Sequence, residues 1–369
     1  MNILLVSSPP SNRGGISNWV RLIHTYINAG KAPGVNLRQI RTLQYKNLKH
    51  GFWERYVRNG LDIFRIRREL EKELRTQRPD IIHVTVTGDW SVFRDIAIFR
   101  WARKHGIPSV AHIHFGKLPE YRKADGWTWR MLSYSLSLCS SIWAIDARTE
   151  ASVREAFPDI KTSYVPNPIL LDDMPFAEMV RRKVISYMGW VVKTKGIEEL
   201  LSAWSNVYAQ YPEYQLQLIG PYEKDYKEYL ERTYCMAGVS FEGRMEHAQA
   251  MEAIASSEIF VLPSYTEGFP NAVLEAMALK TPVIASDVGA IGDMLADDCG
   301  VIISPQDADA LQSVLIRLMQ DKGWQEVIAQ NAYSRVLKEY EINVVFTKYK
   351  DEWRSLLKKN GSAAREENE

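Results

Sequence analysis

Short apolar runs recur along the 369-residue chain, and between them apolar positions return every third or fourth residue. "NILLVSS" near the start, "PDIIHVTV" at 79–86, "IPSVAHIHF" at 107–115, "SSIWAID" at 140–146 and "TSYVPNP" at 162–168 read as five strands. Helical periodicity follows a loop containing "RGGIS", from about Asn18, and again over 62–77 and 92–105. The alternation then restarts. "KVISYMGW" at 183–190 leads into the helical "GIEELLSAWSNVYAQ", and the further runs are "YQLQLIG", "GVSFEG", "EIFVLPS", "TPVIAS" and "GVIIS". Strands alternating with helices predict an α/β protein with parallel sheets covered on both faces. Two such domains are expected, 1–170 and 171–341, joined near 165–182. The amphipathic stretch 342–358 carries Val344, Val345, Phe346, Tyr349, Trp353, Leu356 and Leu357 and is expected to pack back on the first domain. The end, 359–369, has no pattern and reads as disordered.

Composition narrows the classes. This length exceeds one ordinary core, so two domains are the default. Hydrophobic content of 46% and charged content of 25% are those of a soluble globular protein. A net charge of +1 argues against a nucleic-acid partner. Cys139, Cys235 and Cys299 are too few and too far apart for a disulfide framework or a metal-ligand pattern, which fits a reducing cytoplasm. The apolar run behind Met1 is too short for a secretory signal, and no window is long enough to span a membrane. The expectation is a cytoplasmic chain that can dock on the cytoplasmic face of the inner membrane. Residues 36–80 carry 12 Lys/Arg against 6 Asp/Glu, interleaved with Tyr45, Phe52, Trp53, Tyr56 and Phe64. Two readings stand: a solvated helix face over a core, or a patch that meets anionic lipid.

"PSYTEGFPNAVLEAMALKTPVIAS", at 263–286, holds two acids with chemistry in reach. Glu267 sits in a Gly/Pro loop behind the run "EIFVLPS"; Glu275 lies one turn into the following helix. Ligands of open α/β domains bind where strands end and helices begin. Asn271 suits an N-cap, and the first amides of its helix offer an anion site. Gly268 and Pro270 shape the loop for close backbone approach. Amides suit phosphate, and carboxylates accept hydrogen bonds from adjacent hydroxyls. A ligand with both is a nucleotide sugar. The alternative is a solvated loop acid, Glu267, and a first-turn structural acid, Glu275.

The stretch 258–292, "EIFVLPSYTEGFPNAVLEAMALKTPVIASDVGAIG", resembles the donor-site signature of the family 4 retaining glycosyltransferases of GT-B fold. "RGGIS" is similar to their N-terminal glycine loop, "PDIIHV" and "VAHIHFG" to two strands of their first domain, "VPNP" to the start of their linker, and "YMGWVVKTKGIEELLSAW" to the segment that opens the donor domain. The resemblance covers roughly 1–345. It implies two Rossmann-like domains facing across a deep cleft, a nucleotide-diphospho-sugar donor that is UDP- or GDP-linked, no cofactor and no metal requirement. Glu267 would hydrogen-bond the donor sugar, Glu275 the ribose hydroxyls, and Lys195 would neutralise the diphosphate. Gly189 and the amides of Gly268, Phe269 and Asn271 would line the donor site. The Gly14–Gly15 loop would close over it, Gly15 toward the donor and Gly14 toward the acceptor. His114 matches the histidine near the reacting sugar, with His112, two residues away, as its rival. Two departures stand out: Trp190 replaces an arginine whose planar cation would serve phosphate, with Lys193 as a possible substitute, and Lys280 replaces a common glycine.

The stretch 114–130, read as a loop, gathers Lys117, Arg122, Lys123 and Arg130 among aromatic residues. Such a loop would hold a glycan or polyprenol-linked saccharide acceptor, unless it is a solvated loop. The function so read is retaining hexosyl transfer in surface-polysaccharide assembly, with His114, Glu267 and Lys195 at the chemistry. The resemblance implies a front-face route with retention, in which Glu267 is a hydroxyl ligand rather than a nucleophile. The rivals are a nucleotide-sugar epimerase and a non-catalytic sugar-nucleotide or glycan-binding subunit carrying Trp190. A nicotinamide dehydrogenase does not fit, because "SSPPSNRGG" is not G-x-G-x-x-G.

Overall fold

The structure is a computed structural model. It describes residues 1–11, 14–42, 52–88, 90–172, 174 and 180–366, without the side chains of 52–59 and 359–366. The chain divides into two compact units, Met1–Pro168 with Ile342–Glu369, and Ile169–Glu341.

In unit 1 the strands are β1 (Asn2–Ser7), β2 (Asn36–Arg41), β3 (Ile81–Val86), β4 (Ser109–Ile113), β5 (Ser141–Ala144) and β6 (Lys161–Tyr164). They pair in the order β2-β1-β3-β4-β5-β6, and every pair is parallel. Strands β3, β4 and β5 are buried throughout, and His83, Thr85 and His112 are buried among their apolar residues. The helix Ile342–Glu366 lies in this unit. Trp19 Nε1 donates to Tyr349 Oη at 2.8 Å, Tyr26 Oη donates to Asn343 at 2.7 Å, and Trp353 stacks on Trp143 at 5.9 Å.

Unit 2 holds β7 (Arg182–Met188), β8 (Gln215–Ile219), β9 (Val239–Gly243), β10 (Ser257–Leu262), β11 (Val283–Ser286) and β12 (Val301–Ile303), ordered β12-β11-β10-β7-β8-β9 and again all parallel. The chain runs outward from β7 to β9 and then returns to pair β10 on the other side of β7. The helices leaving β7 and β10 therefore diverge, and the carboxyl ends of these two strands form the topological switch point where ligands bind in such sheets. The helix Ile197–Gln210 buries Leu200, Leu201, Trp204 and Val207 on one stripe. Each of these fully buried side chains contributes roughly 1.5–3 kcal/mol. The helix thereby fixes the segment just before it, which carries Lys195.

Several expectations need correction. Strand β2 was not expected; its sequence, NLRQIR, is polar and only Ile40 is buried, because it lies at the sheet edge. The stretch 114–130 is not a loop: helices Leu118–Ala124 and Trp127–Leu136 occupy most of it. The first helix starts at Gly15 rather than near Asn18, and the second spans Phe52–Thr76, ten residues earlier than 62. The last helix continues to Glu366, beyond Lys358. Tyr45 lies outside the described residues, as do the side chains of Phe52, Trp53 and Tyr56.

Candidate functional site

Strand β10 ends at Leu262, and Pro263 turns the chain into the loop that holds Glu267. Strand β7 ends at Met188 beside it, and its exit segment makes a 3-10 turn over Lys193–Lys195. Two features lock these segments together. Tyr265 N donates to Thr194 O at 3.0 Å. Gly196, at φ 70°, presses so closely on Pro263 that an added Cβ would stand 2.0 Å from its carbonyl oxygen. Only glycine fits there. This apposition brings Lys195 to Glu267, and the Nζ–Oε1 distance is 2.5 Å. Ser264 Oγ, fully buried, donates to the same Oε1 at 2.7 Å. The Glu267 carboxylate is thus anchored through one oxygen. Among the described residues no donor is bonded to Oε2.

The loop's other side rests on the turn after β11. Ala290 N donates to Gly268 O at 2.9 Å, and Gly289, at φ 56°, has room for no side chain: its Cβ would meet Glu267 O at 2.4 Å. Pro270, not Asn271, is the N-cap of the helix Asn271–Ala278; Asn271 is its first residue and makes no side-chain cap. That corrects the expectation but keeps the first-turn amides at the loop's end. Phe269 is buried against Tyr340, so it offers backbone only. Glu275 is 8% exposed, and its Oε1 lies 3.0 Å from His247 Nε2, at the start of the helix His247–Ala255.

At the end of β7, Tyr187 Oη donates to Trp190 O at 2.8 Å. Burial raises the Tyr187 phenol well above its usual range, and the nearby Glu267 carboxylate raises it further, so the hydroxyl keeps its proton. Gly189 lies under that phenol; a Cβ there would come within 2.6 Å of Oη. The Trp190 ring is 58% exposed. Lys193, the proposed substitute for an arginine, is instead paired with Glu198 at 3.3 Å and points largely into solvent.

The remaining expected residues are in unit 1. Gly14, at φ 121°, caps the helix Gly15–Asn28. That helix carries Trp19, whose ring lies 4.9 Å from His114. His112 and His114 are 4.1 Å apart between centroids, and His83 Nε2 lies 3.1 Å from His112 Nδ1. Burial lowers His83 and His114 to about 3 and lowers His112 as well, so all three rings are neutral at pH 7. Nε2 of His112 and of His114 is covered and has no hydrogen-bond partner among the described residues. Lys117 is the exposed N-cap of the helix Leu118–Ala124, and Arg122 pairs with Glu155 at 2.8 Å while donating to Ser152 O. His247, Ser264 and Tyr187 were missed. Ser264 stood inside the motif without a role, and no spacing signal singles out the other two.

The sequence model described as glycosyl transferases group 1 matches residues 175–335, and that described as glycosyltransferase family 4 matches residues 29–173. The two matches lie end to end and take in both β7–β12 and most of unit 1. The chain belongs to the group 1 glycosyltransferases. Among curated relatives of this family, a putative teichuronic acid biosynthesis glycosyltransferase, TuaC of Bacillus subtilis (strain 168), is 29% identical over 43% of this chain and 39% of its own length. The chain spans less than half the length of the first such relatives it matches. Among solved structures, a sucrose-phosphate synthase from Thermosynechococcus elongatus superposes with a TM-score of 0.78 at 19% identity, covering 96% of this chain and 98% of that one. Anabaena Alr3699/HepE in complex with UDP gives 0.71 at 15% identity, covering 96% and 100%. The fold of this group 1 glycosyltransferase is therefore GT-B. Among the described residues no helix is long and apolar enough to cross a membrane.

Proposed function

We propose that the protein is a retaining glycosyltransferase that moves a hexosyl unit from a UDP- or GDP-linked sugar to a glycan or polyprenol-linked saccharide in surface-polysaccharide assembly. The observation that carries this reading is the cluster Lys195–Glu267–Ser264 at the β7/β10 switch point, one loop away from the first amides of the helix Asn271–Ala278. A diphosphate needs a cation and amides; a sugar needs a fixed carboxylate. Both are met where the exit segments of β7 and β10 face each other. The teichuronic acid role in the name of the Bacillus relative supports the polysaccharide setting, and the UDP bound by the Anabaena neighbour supports the donor class.

In the reaction the C1–O bond to the diphosphate breaks, the acceptor oxygen bonds to C1 on the same face, and the acceptor's proton passes to the departing phosphate oxygen. Lys195 and the helix amides meet the negative charge that develops on the leaving group. Glu267 holds the sugar through Oε2 and serves as a positioning ligand, not a nucleophile. Glu275, braced by His247, takes the ribose hydroxyls. His114, kept neutral by burial, is the histidine assigned to the reacting sugar, where its ring adds no charge. Lys117 takes part in acceptor binding, and Arg122 does so from its pair with Glu155. No metal is required for donor binding.

A thermal-shift panel of UDP, GDP, ADP and their sugars, with and without magnesium, tests the reading. Ligands that bind only the folded state raise the melting temperature. One nucleotide class should stabilise the protein, equally with and without magnesium, and Glu275→Ala should lose the effect. No shift from any of them at saturating concentration overturns the donor assignment and leaves a glycan-binding subunit, with the neutral Trp190 ring where a cation would serve phosphate.

A further inference from the structure

Given a nucleotide-sugar donor on Lys195 and Glu267, we infer that Glu199 and Tyr265 form a positioning pair that sets where Glu267 meets the sugar; the inference rests on that reading and deepens it. The Tyr265 hydroxyl donates to Glu199 Oε1 at 2.6 Å. Glu199 is the third residue of the helix Ile197–Gln210, and Tyr265 stands two residues ahead of Glu267. The bond therefore joins the exit segment of β7 to that of β10, the two segments that supply Lys195 and Glu267.

The main chain supplies another tie between these segments, from Tyr265 N to Thr194 O at 3.0 Å. A single hydrogen bond leaves a loop free to pivot about it. The phenol reaches a second point, further along the β7 exit, and removes the pivot. Tyr265 is thus fixed at its backbone and at the tip of its ring. Its neighbour Ser264 reaches Glu267 Oε1 at 2.7 Å, and Lys195, next to Thr194, reaches the same oxygen at 2.5 Å. Both groups on that oxygen therefore hang from residues beside the ties.

The helix dipole alone does not account for Glu199. The first turn carries two acids, and a carboxylate there gains from the dipole without being buried. Glu198 is matched at both oxygens, by Lys193 and by Tyr226 Oη, each at 3.3 Å. Glu199 differs: its Oε2 is covered and has no hydrogen-bond partner among the described residues. Taking a carboxylate oxygen out of water without a partner is costly. The placement makes sense because the other oxygen holds Tyr265. Burial, the bond to Glu199 and the charge of Glu199 raise the Tyr265 phenol, so its hydroxyl stays protonated and always donates.

Calorimetric titration with UDP, UDP-glucose, UDP-galactose and UDP-N-acetylglucosamine, and with GDP and GDP-mannose, tests the pair. The readout is the ratio of the affinity for a nucleotide sugar to that for its bare nucleotide, which isolates the groups at the sugar. Tyr265→Phe and Glu199→Leu should each lower that ratio about tenfold, the worth of a hydrogen bond to a charged group, and leave binding of the bare nucleotide unchanged. The double variant should cost no more than either change alone. Glu199→Gln, whose amide oxygen still accepts from Tyr265, should keep the ratio. A bond that served the fold alone would shift the melting temperature and not this ratio. A parental ratio in Tyr265→Phe, or a Glu199→Gln that falls as far as Glu199→Leu, overturns the inference. A parent that binds none of these ligands overturns the donor reading instead. Amide exchange then still judges the pair: the Tyr265 amide should exchange faster in Tyr265→Phe and Glu199→Leu than in the parent and Glu199→Gln, and equal exchange in all four overturns it.

Discussion

Gly289 touches no ligand in the proposed reaction, yet it sets where Glu267 stands. At φ 56° and with its Cβ position overlapping the carbonyls of Glu267 and Gly268, any side chain there pushes the acid's loop away from β11. Gly289→Ala should therefore lower kcat by on the order of a hundredfold, the cost of misplacing a positioning group by about an ångström, while circular dichroism stays parental. Glu267→Ala should reduce transfer further still, because the sugar loses its ligand and Lys195 its counter-ion. Glu275→Ala should act mainly through KM, and His247→Ala should repeat it in weaker form, since His247 holds Glu275 by one hydrogen bond of about 1 kcal/mol. Steady-state kinetics with the donor found by thermal shift separates these patterns; a Glu275→Ala variant that loses kcat with unchanged KM would contradict the ribose assignment.

Helix ends and sheet edges decide the next scale. Lys280 follows the helix Asn271–Ala278 at φ 56°, the left-handed conformation that glycine adopts without strain. Its Nζ lies over the Tyr333 ring at 4.6 Å, which offsets part of the cost. Lys280→Gly should stabilise the protein by about 0.5 kcal/mol net, read as a rise in the urea midpoint with an unchanged slope. Elements buried on both faces were legible in the sequence because apolar residues dominate them despite His83, Thr85, His112 and Glu258: β3, β4 and β10 were placed from their runs alone. The edge strand β2 was not, since one neighbour and one buried side chain, Ile40, leave its arginines free to face water. The helices at 118–124 and 127–136 were hidden by Gly126 and by basic residues that read as a loop. The same logic divides the site. Glu267 and Glu275 carried a signal in their spacing, and Lys195 in the resemblance of "YMGWVVKTKGIEELLSAW" to the segment that opens the family's donor domain. His247 and Tyr187 reach the site only through the pairing of β7 with β10 and the packing of helices on them, which no local pattern reports.

For the molecule as a whole, acidity acts on unit 1. His83, His112 and His114 bind protons at pH 6.5 when unfolded, but burial lowers them when folded, His83 and His114 to about 3. Their neutral forms contribute stability that is fully present above pH 6.5 and is lost as pH falls toward 3. Urea melts between pH 7 and pH 4 should show a transition of unit 1 that weakens with a slope of up to three protons. His112→Phe should reduce that slope by about one proton; an unchanged slope would show that the ring is already solvated.

The return of the helix Ile342–Glu366 to unit 1 also dictates an order of events during synthesis. Unit 2 is complete in sequence by Glu341, with Ile169 and Glu341 already paired as neighbouring chain positions. Unit 1, although it precedes unit 2 in the chain, lacks until unit 2 has been made the helix whose Tyr349 and Trp353 cover Trp19 and Trp143. Its aromatic face must wait, uncovered, while the whole of unit 2 is made. Of the two units, the one that emerges first is completed second, and that waiting period is when a holding chaperone would matter most.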